Sequence, residues 1–112
     1  MKNRIALALA AGLFATSAAH AAPIEGKWRT QAGANATISS CGKAYCIKIT
    51  SGEHAGKRIG TVSGSGNKYS GQILNPVDGK TYSGSARVNG NTLKLSGCVA
   101  RILCKTQTWS RR

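Results

Sequence analysis

Apolar and polar residues alternate with a period of two along much of this chain, most clearly toward its C-terminal end. Tyr82, Gly84, Ala86 and Val88 share one parity, opposed by Thr81, Ser83, Ser85 and Arg87. Leu93, Leu95, Gly97 and Val99 repeat the pattern against Thr92, Lys94, Ser96 and Cys98. This is the period of a strand with one buried face. Between the two runs, Asn89-Gly90-Asn91 supplies residues that accept the positive φ of a tight hairpin turn, so the strands are expected to pair. Beyond residue 21 no window carries the i, i+3, i+4 spacing of an amphipathic helix. Strands are predicted near 24–31, 36–41, 45–50, 57–63, 67–74, 80–88, 91–99 and 103–110, separated by turn chemistry such as Gly33-Ala34-Asn35, Gly42-Lys43, Ser51-Gly52, Gly64-Ser65-Gly66-Asn67 and Asn75-Pro76-Val77-Asp78-Gly79. The fourth breaks the rhythm, because Ile59 and Val62 fall on opposite parities.

The fold class is therefore all-β. Consecutive strands joined by short turns make an antiparallel meander, and about eight of them remove their open edges best by closing into a lipocalin-like barrel. A small β-sandwich is the alternative. Gly26, Gly71, Gly84 and Gly97 share faces with Trp28, Tyr69, Ile73, Tyr82, Leu93 and Leu95. Glycine among large inner residues lets strands bend and lets rings lie against backbone. The interior is expected to be mostly packed, with at most a shallow cup at one mouth.

The N-terminal stretch does not belong to this pattern. Lys2 and Arg4 precede an uncharged apolar run from Ile5 to Ala19, and Ala19-His20-Ala21 has the small-residue spacing of a secretory cleavage site. The run falls short of the roughly 20 residues of a spanning helix. Residues 1–21 are thus expected to be a signal peptide and residues 22–112 a single barrel domain, periplasmic or secreted, with no membrane span. The formal net charge of the chain is +13, and loss of Lys2 and Arg4 lowers it by two. Such an excess attracts anionic partners, including envelope surfaces, although the positive residues are scattered and never form a run.

Cys41, Cys46, Cys98 and Cys104 are an even set in an exported chain, which favours disulfides over a metal or redox site. Three pairings are open. Cys41 with Cys46 and Cys98 with Cys104 is preferred, because each couple flanks a short segment between two strands. No metal site is expected: the Cys98 to Cys104 spacing is too long for a zinc pair, and His54 is the one histidine beyond residue 21.

Motifs for catalysis are weak. Asp78-Gly79-Lys80-Thr81 ends like a phosphate-binding loop, but Leu74 stands where that motif needs glycine. Glu53-His54 is an adjacent acid and imidazole, and Glu25 and Asp78 are the only other carboxylates to partner them. No serine lies in a G-x-S-x-G context. The chain is expected not to be an enzyme and to need no cofactor. With two Trp, three Tyr and one Phe it is too poor in aromatics for a base-stacking platform, so no specific nucleic-acid readout is expected.

At Gly26-Lys27-Trp28, Asn75-Pro76-Val77-Asp78-Gly79-Lys80-Thr81-Tyr82-Ser83-Gly84 and Thr106-Gln107-Thr108-Trp109-Ser110-Arg111 the chain resembles a family of exported bacterial proteins described only as domain of unknown function 2147. The segment from Gly52 to Gly60 looks shorter than its counterpart in that family. Cys98 and Cys104 stand where many members carry other residues, which supports their bonding to each other. A looser likeness is to lipocalin and related calycin barrels, in which a Gly-x-Trp on the first strand is covered by a basic residue from the far end of the chain. That likeness implies structural roles for Trp28, Trp109 and Arg111, with Arg111 or Arg112 over the Trp28 indole. The functional expectation is a monomeric, non-enzymatic envelope binding module for a small or anionic ligand. Its rival is a structural or protein-interacting factor that docks through its charge. Candidate ligand-binding residues are His54, Lys57, Asp78 and Lys80, in the turns Gly52–Lys57 and Asn75–Lys80, because binding residues concentrate on loops held by a rigid scaffold.

Overall fold

The computed structural model describes residues 22–99 and 103–112; the expected leader, residues 1–21, lies outside them. Eight strands follow in order: β1 Gly26–Arg29, β2 Asn35–Cys41, β3 Ala44–Ile49, β4 Arg58–Ser65, β5 Lys68–Leu74, β6 Thr81–Asn89, β7 Thr92–Val99 and β8 Leu103–Arg111. Each pairs antiparallel with the next, and β1 also pairs with β8, so the meander closes into a barrel rather than splitting into a sandwich. The β6–β7 hairpin has the register the Asn-Gly-Asn turn demands, with Val88 opposite Leu93 and Ala86 opposite Leu95.

Alternation becomes an interior. Trp28, Ala36, Ile38, Ile47, Ile49, Val62, Tyr69, Ala86, Val88, Leu93, Leu95 and Trp109 are buried together in one core. The irregular fourth strand is explained by its pairing with β3. Ile47 opposes Gly60 but Lys48 opposes Arg58, so Ile59 is an extra residue at a bulge. One additional residue shifts the parity, and Ile59 and Val62 are both buried.

Gly71, Gly84 and Gly97 stand in register across β5, β6 and β7. At Gly84 a Cβ would overlap the Ile73 side chain, and at Gly71 it would overlap the Thr61 carbonyl. Gly71 and Gly84 thus let the β4 backbone and Ile73 come closer than any side chain would permit, whereas a Cβ at Gly97 would meet only ordinary contacts.

The first strand is shorter than its pattern suggests. Gly26 adopts φ +129°, which turns residues 22–25 across one end of the barrel. Ile24 plugs that end, fully buried, and its carbonyl accepts the indole N–H of Trp28 at 3.0 Å. Arg111 locks the plug in place. Its guanidinium carbon lies 4.1 Å from the Trp28 ring centroid, and Nη1 and Nη2 donate to the carbonyls of Glu25 and Pro23 at 3.0 and 2.7 Å. Disulfides join Cys41 to Cys46 and Cys98 to Cys104, the preferred pairing.

Candidate functional site

Opposite the plug lies the end formed by the other set of strand connections. That end carries residues 30–34, 50–57 and 75–80, which link β1 to β2, β3 to β4 and β5 to β6. Beneath it, between β4 and β8, lies a cup of about 280 Å³. This is near the lower end of the roughly 300–1,000 Å³ typical of small-molecule pockets. Ile59, Ile73, Leu95 and Trp109 form its apolar lining, while Asn75, Asp78, Tyr82, Lys105 and Gln107 give it polar groups.

The strand parity places these polar groups. On β8, Lys105 and Gln107 share the inner face with buried Trp109 but lie close enough to the mouth to be exposed. Gly97 makes their space: Lys105 stands opposite it, and a Cβ added there would meet Tyr82 at the distance of ordinary van der Waals contact. Gln107 Oε1 accepts the Trp109 indole N–H at 2.9 Å. Its carboxamide NH2 is thereby the end left to donate.

The rim over the cup is a self-braced loop. Asn75 donates its N–H to the Lys80 carbonyl at 2.9 Å and accepts from Gly79 N–H at 2.8 Å, while its Oδ1 takes the Val77 N–H at 2.9 Å. Gly79 supplies the positive φ, +73°, that closes this turn. Asp78 accepts the Tyr82 hydroxyl at 2.5 Å and the Lys80 N–H at 2.8 Å. The Tyr82 bond, then the Lys80 amide, holds the Asp78 carboxyl below its ordinary pKa, and donation to Asp78 raises that of the Tyr82 hydroxyl.

Of the residues singled out in the sequence, Asp78 lines the cup. Lys80 is exposed on the same rim and contributes its backbone N–H to Asp78. His54, half-buried, and Lys57, exposed, sit on the 50–57 loop, which folds back through Gly56 N–H to the Ile49 carbonyl at 2.7 Å; neither lines the cup. Trp28 and Arg111 form the latch at the plugged end. Trp109, read as structural, is buried and also walls the cup. Lys105 and Gln107 were not singled out, since polar residues on a terminal strand read as surface. The signal lay in their parity with Trp109. Among the described residues no three His, Cys, Asp or Glu side chains gather as a metal site requires.

Comparison with curated proteins and with solved structures finds no match. A family model does match, over residues 57–111. That span takes in β4 to β8 and every residue lining the cup. Over it the chain matches the family described as an uncharacterized protein conserved in bacteria, DUF2147.

Proposed function

We propose that this protein is a non-enzymatic binding module of the cell envelope, and that its ligand is a small amphiphile with an apolar body and an anionic head. The observation that carries the reading is the cup itself, with its apolar lining and two donor-bearing side chains in that lining, Lys105 and Gln107. An apolar group gains about 25 cal/mol for each Å² it removes from water. A carboxylate or phosphate head placed at Lys105 adds a charge-assisted hydrogen bond worth about 1.5–3 kcal/mol. Binding rather than turnover is favoured by the state of Asp78, the one carboxylate in the lining. It is already held by Tyr82 and Lys80 and shifted away from neutrality, whereas a general acid or base works best with a pKa near the working pH. Two disulfides suit an oxidising compartment such as the periplasm.

Calorimetric titration with decanoate tests the reading. Gly97→Val places a β-branched side chain in the cup at a position without positive φ, and it is expected to abolish binding while the protein stays folded. Lys105→Ala is expected to weaken binding about tenfold or more. Undiminished binding by Gly97→Val, or no binding by the wild type at millimolar decanoate, overturns the proposal.

A further inference from the structure

The outer wall of the same strands carries a second arrangement, which the linear sequence scatters and the sheet register assembles. Lys68 of β5 stands opposite Arg87 of β6, and Arg87 opposite Lys94 of β7. Three exposed cations therefore stand in one line across the sheet. Two residues nearer the open end, Ser63, Ser70, Ser85, Ser96 and Thr106 form a parallel line, one hydroxyl from each of β4 to β8. Ser96 and Thr106 are hydrogen-bonded to each other at 2.5 Å, and a shallow groove runs along the two rows. With strands about 4.8 Å apart, the cation row spans roughly 10 Å and the hydroxyl row roughly 19 Å.

Like charges directly opposite each other destabilise a sheet, and nothing on these strands relieves them. β4 to β8 contain no aspartate or glutamate: the side-chain carboxylates of the described residues are Glu25, Glu53 and Asp78, on the plug and the open-end loops. The arrangement is one that a bound polyanion would relieve. Its chemistry narrows the class. Tyr69, Tyr82 and Trp109 turn inward, so this face has no ring on which a base could stack. Val77, the exposed large apolar residue among those described, sits on the rim loop instead, so the face has no apolar edge to enter a bilayer. What remains is a straight line of cations beside a straight line of hydroxyls.

We infer that this face binds a linear acidic polysaccharide of the uronate type, laid across the strands. Its carboxylates meet Lys68, Arg87 and Lys94, and its ring hydroxyls exchange hydrogen bonds with the serine and threonine row. The site is separate from the cup and stands or falls independently of it.

Calorimetric titration of the full protein with hexagalacturonate provides the test. Taking about 0.7–0.9 units of log–log salt slope per neutralised charge, three contacts imply a loss of affinity of about 20- to 40-fold between 50 and 200 mM salt. The triple variant Lys68→Ser/Arg87→Ser/Lys94→Ser is expected to lose at least about 20-fold in affinity at 50 mM salt. It should melt no lower than wild type, because removing the row removes repulsion, and it should bind decanoate as wild type does. An equal-charge control on the opposite wall, Lys27→Ser/Arg29→Ser/Lys48→Ser, is expected to bind the oligosaccharide within about twofold of wild type. Equal losses in the two triples would reduce the effect to net charge. Undiminished binding by the row variant, or tighter binding of anionic phospholipid vesicles or single-stranded DNA through the same three residues, overturns the assignment.

Discussion

Replacing Arg111 by alanine probes the seam at which the barrel closes. β1 has four residues and meets β8 at two register positions, Trp28 with Arg111 and Arg29 with Ser110, the thinnest pairing in the sheet. Closure therefore leans on the Arg111 side chain. Its stacking on Trp28 at 4.1 Å is worth about 0.5–2 kcal/mol. The bonds to the Glu25 and Pro23 carbonyls would contribute up to about 1.5–3 kcal/mol each if fully desolvated. Here the Pro23 bond is exposed and both carbonyls regain water on deletion, so about 1 kcal/mol apiece is the better figure. Arg111→Ala is thus expected to cost about 2–4 kcal/mol, a large share of the ~5–15 kcal/mol that holds a typical domain together. At ~4–8 °C per kcal/mol for a domain of this size, the melting temperature falls by about 8–32 °C. Urea denaturation at pH 7, followed by tryptophan fluorescence, measures the loss. Arg111→Lys keeps the charge but not the planar fork, and should recover less than half of it. A double-mutant cycle with Trp28→Phe isolates the stacking contribution. A cost below about 0.5 kcal/mol for Arg111→Ala, or full recovery by lysine, would refute the latch.

Two further outcomes follow from the site geometry. Gly84→Ala drives a methyl into Ile73 and should destabilise by about 1–3 kcal/mol. Adding Ile73→Ala should make the Gly84→Ala step itself far cheaper, and thermal melts showing equal cost in both backgrounds would contradict the glycine-row account. The rim loop has a pH window fixed by its two shifted groups. Asp78, lowered, contributes to the fold above its unfolded pKa of about 3.9, and that contribution is lost as pH falls through the lower folded value. Tyr82, raised, contributes below about 10, and its contribution is lost as pH rises through the higher folded value. Tyr82→Phe should therefore move the Asp78 carboxyl back up, which a carbon-13 carboxyl NMR titration reads directly; an unmoved Asp78 would remove Tyr82 as the dominant cause.

The barrel was legible because its period-two pattern and turn residues agree along most of the chain. The β6–β7 hairpin shows this best, where the Asn89-Gly90-Asn91 turn alone specifies that Arg87 faces Lys94. The departures arose where one residue changes the geometry of many. Gly26 diverts the chain, so Ile24 becomes a plug instead of continuing a strand. At Ile59 a bulge resets parity, a feature that belongs to the pairing with β3 and not to β4 itself. The site was less legible than the fold. Asp78 was reachable from its turn, but Lys105 and Gln107 look like solvent-facing residues until Trp109 defines which face of β8 is inner. The row of Lys68, Arg87 and Lys94 needs the β5–β6 register, which no local motif encodes.

The two tryptophans allow the central claim to be tested at both ends of the barrel in one spectrum. The Trp109 indole N–H is bonded to Gln107 in the cup, and the Trp28 indole N–H to the Ile24 carbonyl at the plugged end. In a proton–nitrogen NMR titration with decanoate, the Trp109 indole resonance is expected to move saturably while that of Trp28 stays in place, and Gly97→Val is expected to abolish the movement. Movement of Trp28 alone, of both resonances together in the Gly97→Val protein, or of neither in the wild type, would contradict a binding site at the open mouth.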